Sequence, residues 1–232
     1  MTDNVLEADS IRVCYGESEV VGHLSLKAKE NEVLALMGLN GMGKTTVMKA
    51  LIGLLPLRAG RLLLGGREIG RAAPFERVAD GLAYVPQGRM VFPTLTVEEN
   101  VLSGLPRSER RIPSEIYKFF PVLEEMRKRR AGNLSGGQQQ QLAIARALAS
   151  NPRVLLLDEP TEGIQPSIIK ELATQLKRIR DEKGLTIVVS EQVLSFALAV
   201  ADRVAVMVRG AIVHESARSE LDEASLGRLL AI

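Results

Sequence analysis

A glycine-rich loop between an apolar run and a helix constrains the fold and the chemistry of this chain more than any other segment does. Residues 38–45 read Gly-Leu-Asn-Gly-Met-Gly-Lys-Thr and match the pattern G-x-x-x-x-G-K-[ST]. The buried run 32–37 precedes the loop, and residues 45–53 follow it with helical spacing and a closing glycine. Such a loop directs backbone N–H groups and a helix N-terminus at one point, which is the arrangement that holds phosphate groups.

Short apolar runs alternate with amphipathic stretches along most of the chain. Residues 154–158, 185–190 and 204–208 have the length and aliphatic content of buried parallel strands. Residues 168–183 form a charged, amphipathic helix that starts just after Pro166. Aromatic residues make up 3% of the chain, so we expect an aliphatic core. The alternation predicts an α/β fold with a P-loop NTPase core, a parallel sheet flanked by helices.

The two ends of the chain depart from this alternation. Residues 11–15 and 20–29 read as short, half-polar strands, and residues 211–214 near the other end read similarly. Half-polar strands are typical of antiparallel sheets with one face toward water. We therefore expect an N-terminal antiparallel β subdomain beside the parallel sheet.

The middle of the chain predicts a separate helical lobe. Residues 89–132 turn polar and helical between several prolines, which interrupt the alternating order. We interpret this stretch as an insertion in a single domain over residues 1–232. The core would then consist of residues 1–88 and 133–232.

Composition excludes several classes of protein. With 46% hydrophobic and 25% charged residues the chain is too apolar to be disordered. No stretch approaches eighteen uncharged apolar residues, and the acidic start lacks the apolar core of a signal peptide. A single cysteine, Cys14, cannot form an internal disulfide. The net charge of +2 argues against nucleic acid as a partner.

Two acidic residues stand where the apolar run 154–158 ends. Asp158 lies at the carboxyl end of the predicted strand, where α/β sheets bind ligands, and suits Mg²⁺. Glu159 follows directly and is a candidate to polarise an attacking water molecule. Taken alone, two acids after a strand also read as the N-cap of a helix.

The segment Leu134-Ser-Gly-Gly-Gln138 lies between the glycine-rich loop and the two acids. The three motifs together resemble the ATP-binding-cassette family of ATPases over nearly the whole chain. The resemblance implies that two such subunits pack head to tail around ATP and Mg²⁺. It also implies that Ser135, Gly136, Gly137 and Gln138 of one subunit complete the nucleotide site of the other. Without the other motifs, the segment would read as a capped helix start.

The same resemblance assigns the remaining site residues. Adenine would stack on Tyr15, which also reads as an ordinary strand tyrosine, and Gln87 would sense Mg²⁺ and the γ-phosphate. Mg²⁺ would be held by Thr45, Gln87 and Asp158. Catalysis would rest on Glu159, Gln192 and Lys44. The loop residues implied in nucleotide binding are Gly38, Asn40, Gly41, Gly43, Lys44, Thr45 and Thr46.

Two positions depart from the usual family pattern. Gln165 stands where most members carry an aspartate that communicates across the dimer, and Gln192 stands where most carry a histidine that contacts the γ-phosphate. The pair Glu191-Gln192 resembles the shorter ATPase subunit of branched-chain amino acid importers. The stretch 134–141, which ends in four glutamines, together with residues 159–170 is closest to the urea-importing branch of that group.

We therefore expect an ATP-binding and ATP-hydrolysing subunit of an importer for urea or for branched-chain amino acids. Its partners would be a second ATPase subunit, integral membrane permeases and, indirectly, a periplasmic binding protein. The second ATPase subunit would be a different, longer chain in a heterodimer, with a homodimer of this chain in isolation as the alternative. It would lie peripherally on the cytoplasmic face of the inner membrane. The alternatives are a regulatory nucleotide-binding subunit with little hydrolysis of its own and a non-transport cassette ATPase. Met90, Phe92 and Leu95 would either border the groove for a permease helix or pack inside the lobe.

Overall fold

Two β-sheets and the helices around them make up the fold, which a computed structural model describes for residues 4–221 and 227. The first sheet is antiparallel and has the strand order β2-β1-β4-β5. Its strands are β1 (Asn4–Tyr15), β2 (Ser18–Lys29), β4 (Ala59–Leu64) and β5 (Arg67–Glu68). The half-polar pattern of the first two strands therefore does form the predicted antiparallel sheet.

The second sheet has six strands in the order β10-β9-β3-β8-β7-β6. Five of them run parallel, and β10 pairs antiparallel to β9 at one edge. The strands are β3 (Val33–Met37), β6 (Leu82–Val85), β7 (Val154–Asp158), β8 (Thr186–Glu191), β9 (Arg203–Val208) and β10 (Ala211–Ala217). The central strands are buried on both faces, which explains their continuous apolar runs.

Helices cover both faces of this sheet. Helix α1 follows the glycine-rich loop, and the long helices α6 and α7 flank the strand β7 in sequence. The helices are α1 (Lys44–Ile52), α2 (Pro74–Ala79), α3 (Val97–Leu102), α4 (Ser114–Phe119), α5 (Pro121–Glu125), α6 (Gly136–Leu148), α7 (Pro166–Lys183) and α8 (Leu194–Val200). The predicted α/β class, with its antiparallel N-terminal sheet, is confirmed. No helix among the described residues is both long and apolar enough to cross a membrane.

The parallel sheet separates two apolar clusters. One lies between this sheet, helix α1 and the antiparallel sheet, with Leu34, Val47 and Leu156 among its buried residues. The other lies on the opposite face under helices α6, α7 and α8. Alternate residues of each strand point to opposite faces, so β3 contributes Leu34 and Leu36 to the first cluster and Ala35 to the second.

The helical segment between β6 and α6 packs on the second cluster. Val97, Ile116, Phe120 and Leu123 are fully buried there, together with strand residues of the parallel sheet. The side chain of Asn100 also ties the segment internally, because it accepts from the Phe92 N–H at 2.8 Å and donates to the Thr96 carbonyl at 2.9 Å. The helical segment therefore shares one apolar core with the parallel sheet.

Candidate functional site

Three adjacent parallel strands end at the same edge of the sheet and bring the site together. Strand β8 lies between β3 and β7, with Met37 opposite Glu191 and Asp158 opposite Ser190. The loops that leave these strands are the glycine-rich loop, the acidic loop after Asp158 and the segment that starts at Gln192. They meet because the carboxyl ends of parallel strands share one edge, where α/β proteins bind ligands.

The glycine-rich loop turns sharply into helix α1. Gly43 is the N-cap of the helix and has φ of 102°, a left-handed conformation that favours glycine. At Gly38 a Cβ atom would come within 2.7 Å of the Met207 carbonyl oxygen, so a larger residue would push the loop off the sheet. The Lys44 ammonium folds back and donates to the Gly38 carbonyl at 2.9 Å.

Lys44 and Glu159 form a buried ion pair at the centre of the site. The Lys44 ammonium lies 3.0 Å from a Glu159 carboxylate oxygen, and the two side chains are only 3% and 8% exposed. The Gln87 amide donates to the other carboxylate oxygen at 3.2 Å. Glu159 has φ of 46°, a strained conformation for a residue with a side chain. The Glu159 carboxylate thus neutralises the charge of Lys44, whose ammonium is placed to bind an anion.

Asp158 is buried beneath this pair. One carboxylate oxygen accepts from the Thr45 hydroxyl at 3.1 Å and the Ser190 hydroxyl at 2.5 Å, and the other accepts from the Tyr84 hydroxyl at 3.1 Å. Burial raises the pKa of Asp158, and these three hydrogen bonds oppose that rise. The pKa of Tyr84 is raised mainly by burial and, to a smaller extent, by the charge of Asp158 and the hydrogen bond to it. The tyrosine hydroxyl therefore keeps its proton and stays a donor.

These oxygen donors fit Mg²⁺. Thr45 donates its proton to Asp158 and so keeps a lone pair for a cation. No cluster of three or more His, Cys, Asp or Glu side chains suited to a metal occurs among the described residues. The oxygens of Thr45 and Asp158 are nevertheless enough for Mg²⁺, which usually binds one or two protein oxygens together with waters and substrate phosphates.

A pocket of about 440 Å³ lies in front of the ion pair. It unites the predicted phosphate-binding residues with Gln87, Glu159 and Gln192, which come from three separate loops. The lining residues are Val20, Asn40, Gly41, Gly43, Lys44, Thr45, Thr46, Gln87, Glu159, Glu162 and Gln192. Tyr15, at the end of β1, is not among them and is 48% exposed. Gly38 and Asp158 are buried and do not line the pocket.

The segment around Ser135 lies elsewhere on the described surface and does not line this pocket. Ser135 is the N-cap of α6, where its hydroxyl accepts from the Gln138 N–H at 3.3 Å and its own N–H donates to the Gln138 side chain at 3.0 Å. This reciprocal pairing is a capping box. Gly137 is buried against Ile168 of α7, which would clash with a Cβ atom at 2.7 Å. The N-terminus of α6 therefore does not contribute to the pocket at the chain's own phosphate loop.

Several residues that organise the site belong to none of the sequence motifs. Tyr84 and Ser190 both hold Asp158, and Ser190 also accepts from the Glu159 N–H through its carbonyl at 3.0 Å. The only local signal for an organising role of Ser190 and Glu191 is that two polar residues end an apolar strand. Their roles depend on the register of β8 against β7 and β3. Gln165, one of the two unusual glutamines, precedes α7 and makes no capping bond with its side chain.

A second groove lies beside the edge strand β6. Met90 and Phe92 border it and are 66% and 48% exposed, whereas Leu95 is half-buried. The Arg146 guanidinium lies 5.2 Å from the centre of the Phe92 ring on the same side. Met90 and Phe92 thus face outward rather than into the lobe.

Comparison with known families identifies the chain. The family model described as "ABC transporter" matches residues 21–162, a stretch that contains the glycine-rich loop, the Ser135 segment and both acids. The chain belongs to the ABC transporter family. It is accordingly a nucleotide-binding ATPase subunit in which ATP hydrolysis is coupled to transport. The predicted family and enzyme class are confirmed.

Relatives of this ABC ATPase match it over almost the full length. The high-affinity branched-chain amino acid transport ATP-binding protein BraG of Pseudomonas aeruginosa is 37% identical over 90% of this chain and 91% of its own. The probable branched-chain amino acid transport ATP-binding protein LivF of Archaeoglobus fulgidus is 34% identical over 94% of both chains. The spermidine/putrescine import ATP-binding protein PotA of Clostridioides difficile is 36% identical, but the match spans 62% of its length.

Solved structures confirm the cassette fold. A nucleotide-free ATP-binding cassette from an ABC transporter superposes with a TM-score of 0.84 and 25% identity, over 99% of this chain and 96% of the other. A dimeric cassette in a post-hydrolysis state with ADP and Pi superposes with a TM-score of 0.82 and 26% identity. That match covers 92% of this chain and 98% of the other.

Proposed function

We propose that this ABC ATPase powers a membrane importer for branched-chain amino acids or, in the finer assignment from its motifs, for urea. The observation that carries the proposal is the single pocket in which Lys44, Glu159 and Gln192 converge from three strand ends. The importer class is supported by the relatives named for branched-chain amino acid transport, which match over nearly their whole length. The urea assignment rests on the motif resemblance alone.

ATP binding would rearrange the buried ion pair. The phosphates would occupy the loop at Gly41, Gly43, Lys44, Thr45 and Thr46, and adenine would stack on Tyr15. The Lys44 ammonium would then exchange the Glu159 carboxylate for phosphate oxygens. Glu159, held on its other oxygen by Gln87 at 3.2 Å, would be released to orient a water molecule. Catalysis of this kind consists mainly of positioning and charge stabilisation.

Mg²⁺ would be held by Thr45, Asp158 and Gln87. When bound, the ion neutralises developing charge on the phosphate oxygens. Asp158 is kept in place by Tyr84 and Ser190, whose hydroxyls both donate to it. These two hydrogen bonds would orient Asp158 before the nucleotide binds.

A second ATPase subunit would complete the site. Ser135 is exposed at the N-terminus of α6, a helix of 13 residues, and it does not line the pocket of its own chain. The positive pole of this helix would then serve a second site. The segment Ser135–Gly137 with Gln138 would therefore contact the γ-phosphate bound by a partner. The dimeric post-hydrolysis cassette among the similar structures supports such a pairing.

We further propose that the partner is a different, longer ATPase subunit and that this chain's own site is the slower one. Gln192 lines the pocket at the position where the family pattern has histidine. A glutamine can donate a hydrogen bond to a phosphate, but it cannot carry the positive charge of an imidazolium. Gln165 likewise replaces an acid at the start of α7.

In the reconstituted pair, Glu159→Gln is expected to leave more than half of the single-turnover hydrolysis. The corresponding glutamate change in the partner should remove most of it, because the partner's site would do most of the work. Rapid-quench measurement of product formed per bound ATP checks this. A larger loss from Glu159→Gln than from the partner's change would contradict the assignment of the slow site.

The groove beside β6 would receive a helix from a permease subunit. Its exposed Met90 and Phe92 offer apolar contact area on the lobe that Gln87 connects to the nucleotide site. Large exposed apolar side chains are a common mark of a protein interface. The chain would then lie peripherally on the cytoplasmic face of the membrane, with a periplasmic binding protein supplying substrate to the permeases.

Uptake in cells tests the substrate class. Deleting the gene for this chain is expected to lower the uptake of radiolabelled leucine or of radiolabelled urea by more than about tenfold, since an importer without its ATPase cannot cycle. The wild-type chain should restore that uptake, and Lys44→Ala should not. Loss of urea uptake alone would support the urea assignment, and loss of leucine uptake alone would support the amino acid assignment. Unchanged uptake of both compounds would contradict the proposed substrate classes.

A further inference from the structure

Glu191 is a buried carboxylate that holds the nucleotide site together from behind. It is the last residue of β8 and is 1% exposed. No salt bridge to it occurs among the described residues. Its carboxylate instead accepts four hydrogen bonds, two on each oxygen. A buried charge stabilised only by hydrogen bonds is costly, so its position calls for an explanation.

The four donors come from two different loops of the site. One oxygen of Glu191 accepts from the Thr161 N–H at 3.1 Å and the Thr161 hydroxyl at 2.6 Å. The other accepts from the Gln192 N–H at 3.0 Å and the Val193 N–H at 3.1 Å. Thr161 lies two residues after Glu159, and Gln192 lines the pocket. The carboxylate thus links the loop of the catalytic candidate Glu159 to the segment of Gln192.

The backbone of Glu191 reaches the third loop. Its carbonyl accepts from the Gly38 N–H at 3.2 Å, at the first residue of the phosphate loop. One residue is therefore hydrogen-bonded to three of the segments that surround the pocket, namely the phosphate loop, the loop after Asp158 and the segment of Gln192. It does not line that pocket itself.

We propose that Glu191 is a positioning residue that sets the placement of Glu159 and Gln192 relative to the phosphate loop. The catalytic effect rests on the proposed role of Glu159 in orienting water. Hydrolysis needs that carboxylate within hydrogen-bond reach of the attacking water, and an error of about 1 Å costs as much as about 100-fold in rate. Glu191 holds the loop from Glu159 to Thr161 at that distance.

The chemistry of the link requires a carboxylate. Both oxygens of Glu191 act as acceptors, and each faces two donors. The isosteric amide of glutamine has one acceptor oxygen and one NH₂ group that only donates. Whichever way the amide turned, its NH₂ group would face two donors at one of the two loops. Burial raises the pKa of Glu191, and the hydrogen bonds from Thr161 and the two backbone N–H groups oppose that rise.

The decisive experiment is Glu191→Gln in the full-length chain. We expect kcat for ATP to fall at least about tenfold, while the dissociation constant for ADP stays within about threefold. ADP binding should persist because the bond from the Gly38 N–H to the residue 191 carbonyl does not involve the side chain. Amide hydrogen exchange in the nucleotide-free chain should accelerate at residue 161 or at residues 192 and 193.

Glu32→Gln is the matched control for a purely structural role. Glu32 is a buried carboxylate, 8% exposed, that pairs with Arg203 at 2.8 Å at the other end of the parallel sheet. Its substitution should lower the melting temperature and leave kcat unchanged at temperatures where the chain is folded. The proposal is overturned if Glu191→Gln lowers kcat no more than Glu32→Gln does, or if kcat stays within twofold of wild type.

Thr161 provides a second test if Glu191→Gln fails to fold. Thr161→Val removes the shortest of the four hydrogen bonds and keeps the carboxylate, so kcat should fall several-fold, and Thr161→Ser should retain the wild-type rate. Equal rates for the valine and serine variants would overturn the proposal. Hydrogen exchange reports on the bonds themselves and is independent of the role of Glu159. An error in that role would appear instead as an unchanged rate in Glu159→Gln when the chain is assayed alone.

Discussion

Lys44→Ala is expected to weaken ADP binding by about 10- to 100-fold and to abolish measurable ATP turnover. The lysine supplies the only ammonium that lines the pocket of the described chain, and charge-assisted hydrogen bonds are worth about 1.5–3 kcal/mol each. Every 1.4 kcal/mol corresponds to about a factor of ten in the dissociation constant. Isothermal titration with ADP and a phosphate-release assay measure the two effects.

The same substitution is also expected to destabilise the nucleotide-free chain. Removing Lys44 leaves the Glu159 carboxylate buried at 8% exposure without its cation, and breaking a buried ion pair in this way typically costs about 3–5 kcal/mol. The double variant Lys44→Ala/Glu159→Gln should recover part of that loss in thermal unfolding. Lys170→Ala, at an exposed position on α7, is the control and should leave binding and stability unchanged. An ADP affinity for Lys44→Ala within threefold of wild type would contradict the role of the loop.

Glu159→Gln is expected to lower the ATP turnover of the chain assayed alone by about 100- to 10,000-fold. This is the usual contribution of a general base, and the amide that replaces it cannot accept a proton from water. ATP binding should persist because Lys44 no longer has a competing carboxylate 3.0 Å away. The variant should therefore accumulate as an ATP-bound dimer, which size-exclusion chromatography with and without ATP detects.

Glu182→Gln is the matched control for this prediction. Glu182 is an exposed carboxylate on α7 that pairs with Arg178 at 2.6 Å, far along the chain from the pocket loops. Its substitution should change neither turnover nor the ATP-dependent elution volume. Turnover in Glu159→Gln above half of the wild-type value would show that another group activates the water.

The fold could be predicted wherever one short segment carried its own signal. The loop at 38–45 was recognised because its glycines, lysine and threonine have a characteristic spacing, and β7 and α7 were predicted with nearly the observed limits. Strands β4 and β6 were missed. Residues 82–85 are only four long, and they form a strand because they pair with β7 at the edge of the sheet.

In the candidate site, too, the residues that belong to a motif could be predicted, but the contacts between them could not. Lys44, Asp158, Glu159 and Gln192 were predicted, and they do converge, although their assigned roles remain predictions. Nothing in the sequence indicated that Lys44 and Glu159 pair in the absence of nucleotide. Of the residues predicted either to border a groove or to pack inside the lobe, Met90 and Phe92 are exposed beside a groove, whereas Leu95 is half-buried.

The sequence alone determined the fold class and the phosphate loop, because these follow from apolar periodicity and from local spacing, and its three motifs carried the resemblance to the family. The tertiary structure decided which residues cooperate. Ser190 and Glu191 are two ordinary polar residues at a strand end until the register of β8 sets them between β7 and β3. Hydrogen bonds to Asp158, Thr161 and Gly38 then form across more than 25 residues of chain, a separation at which no local pattern carries information.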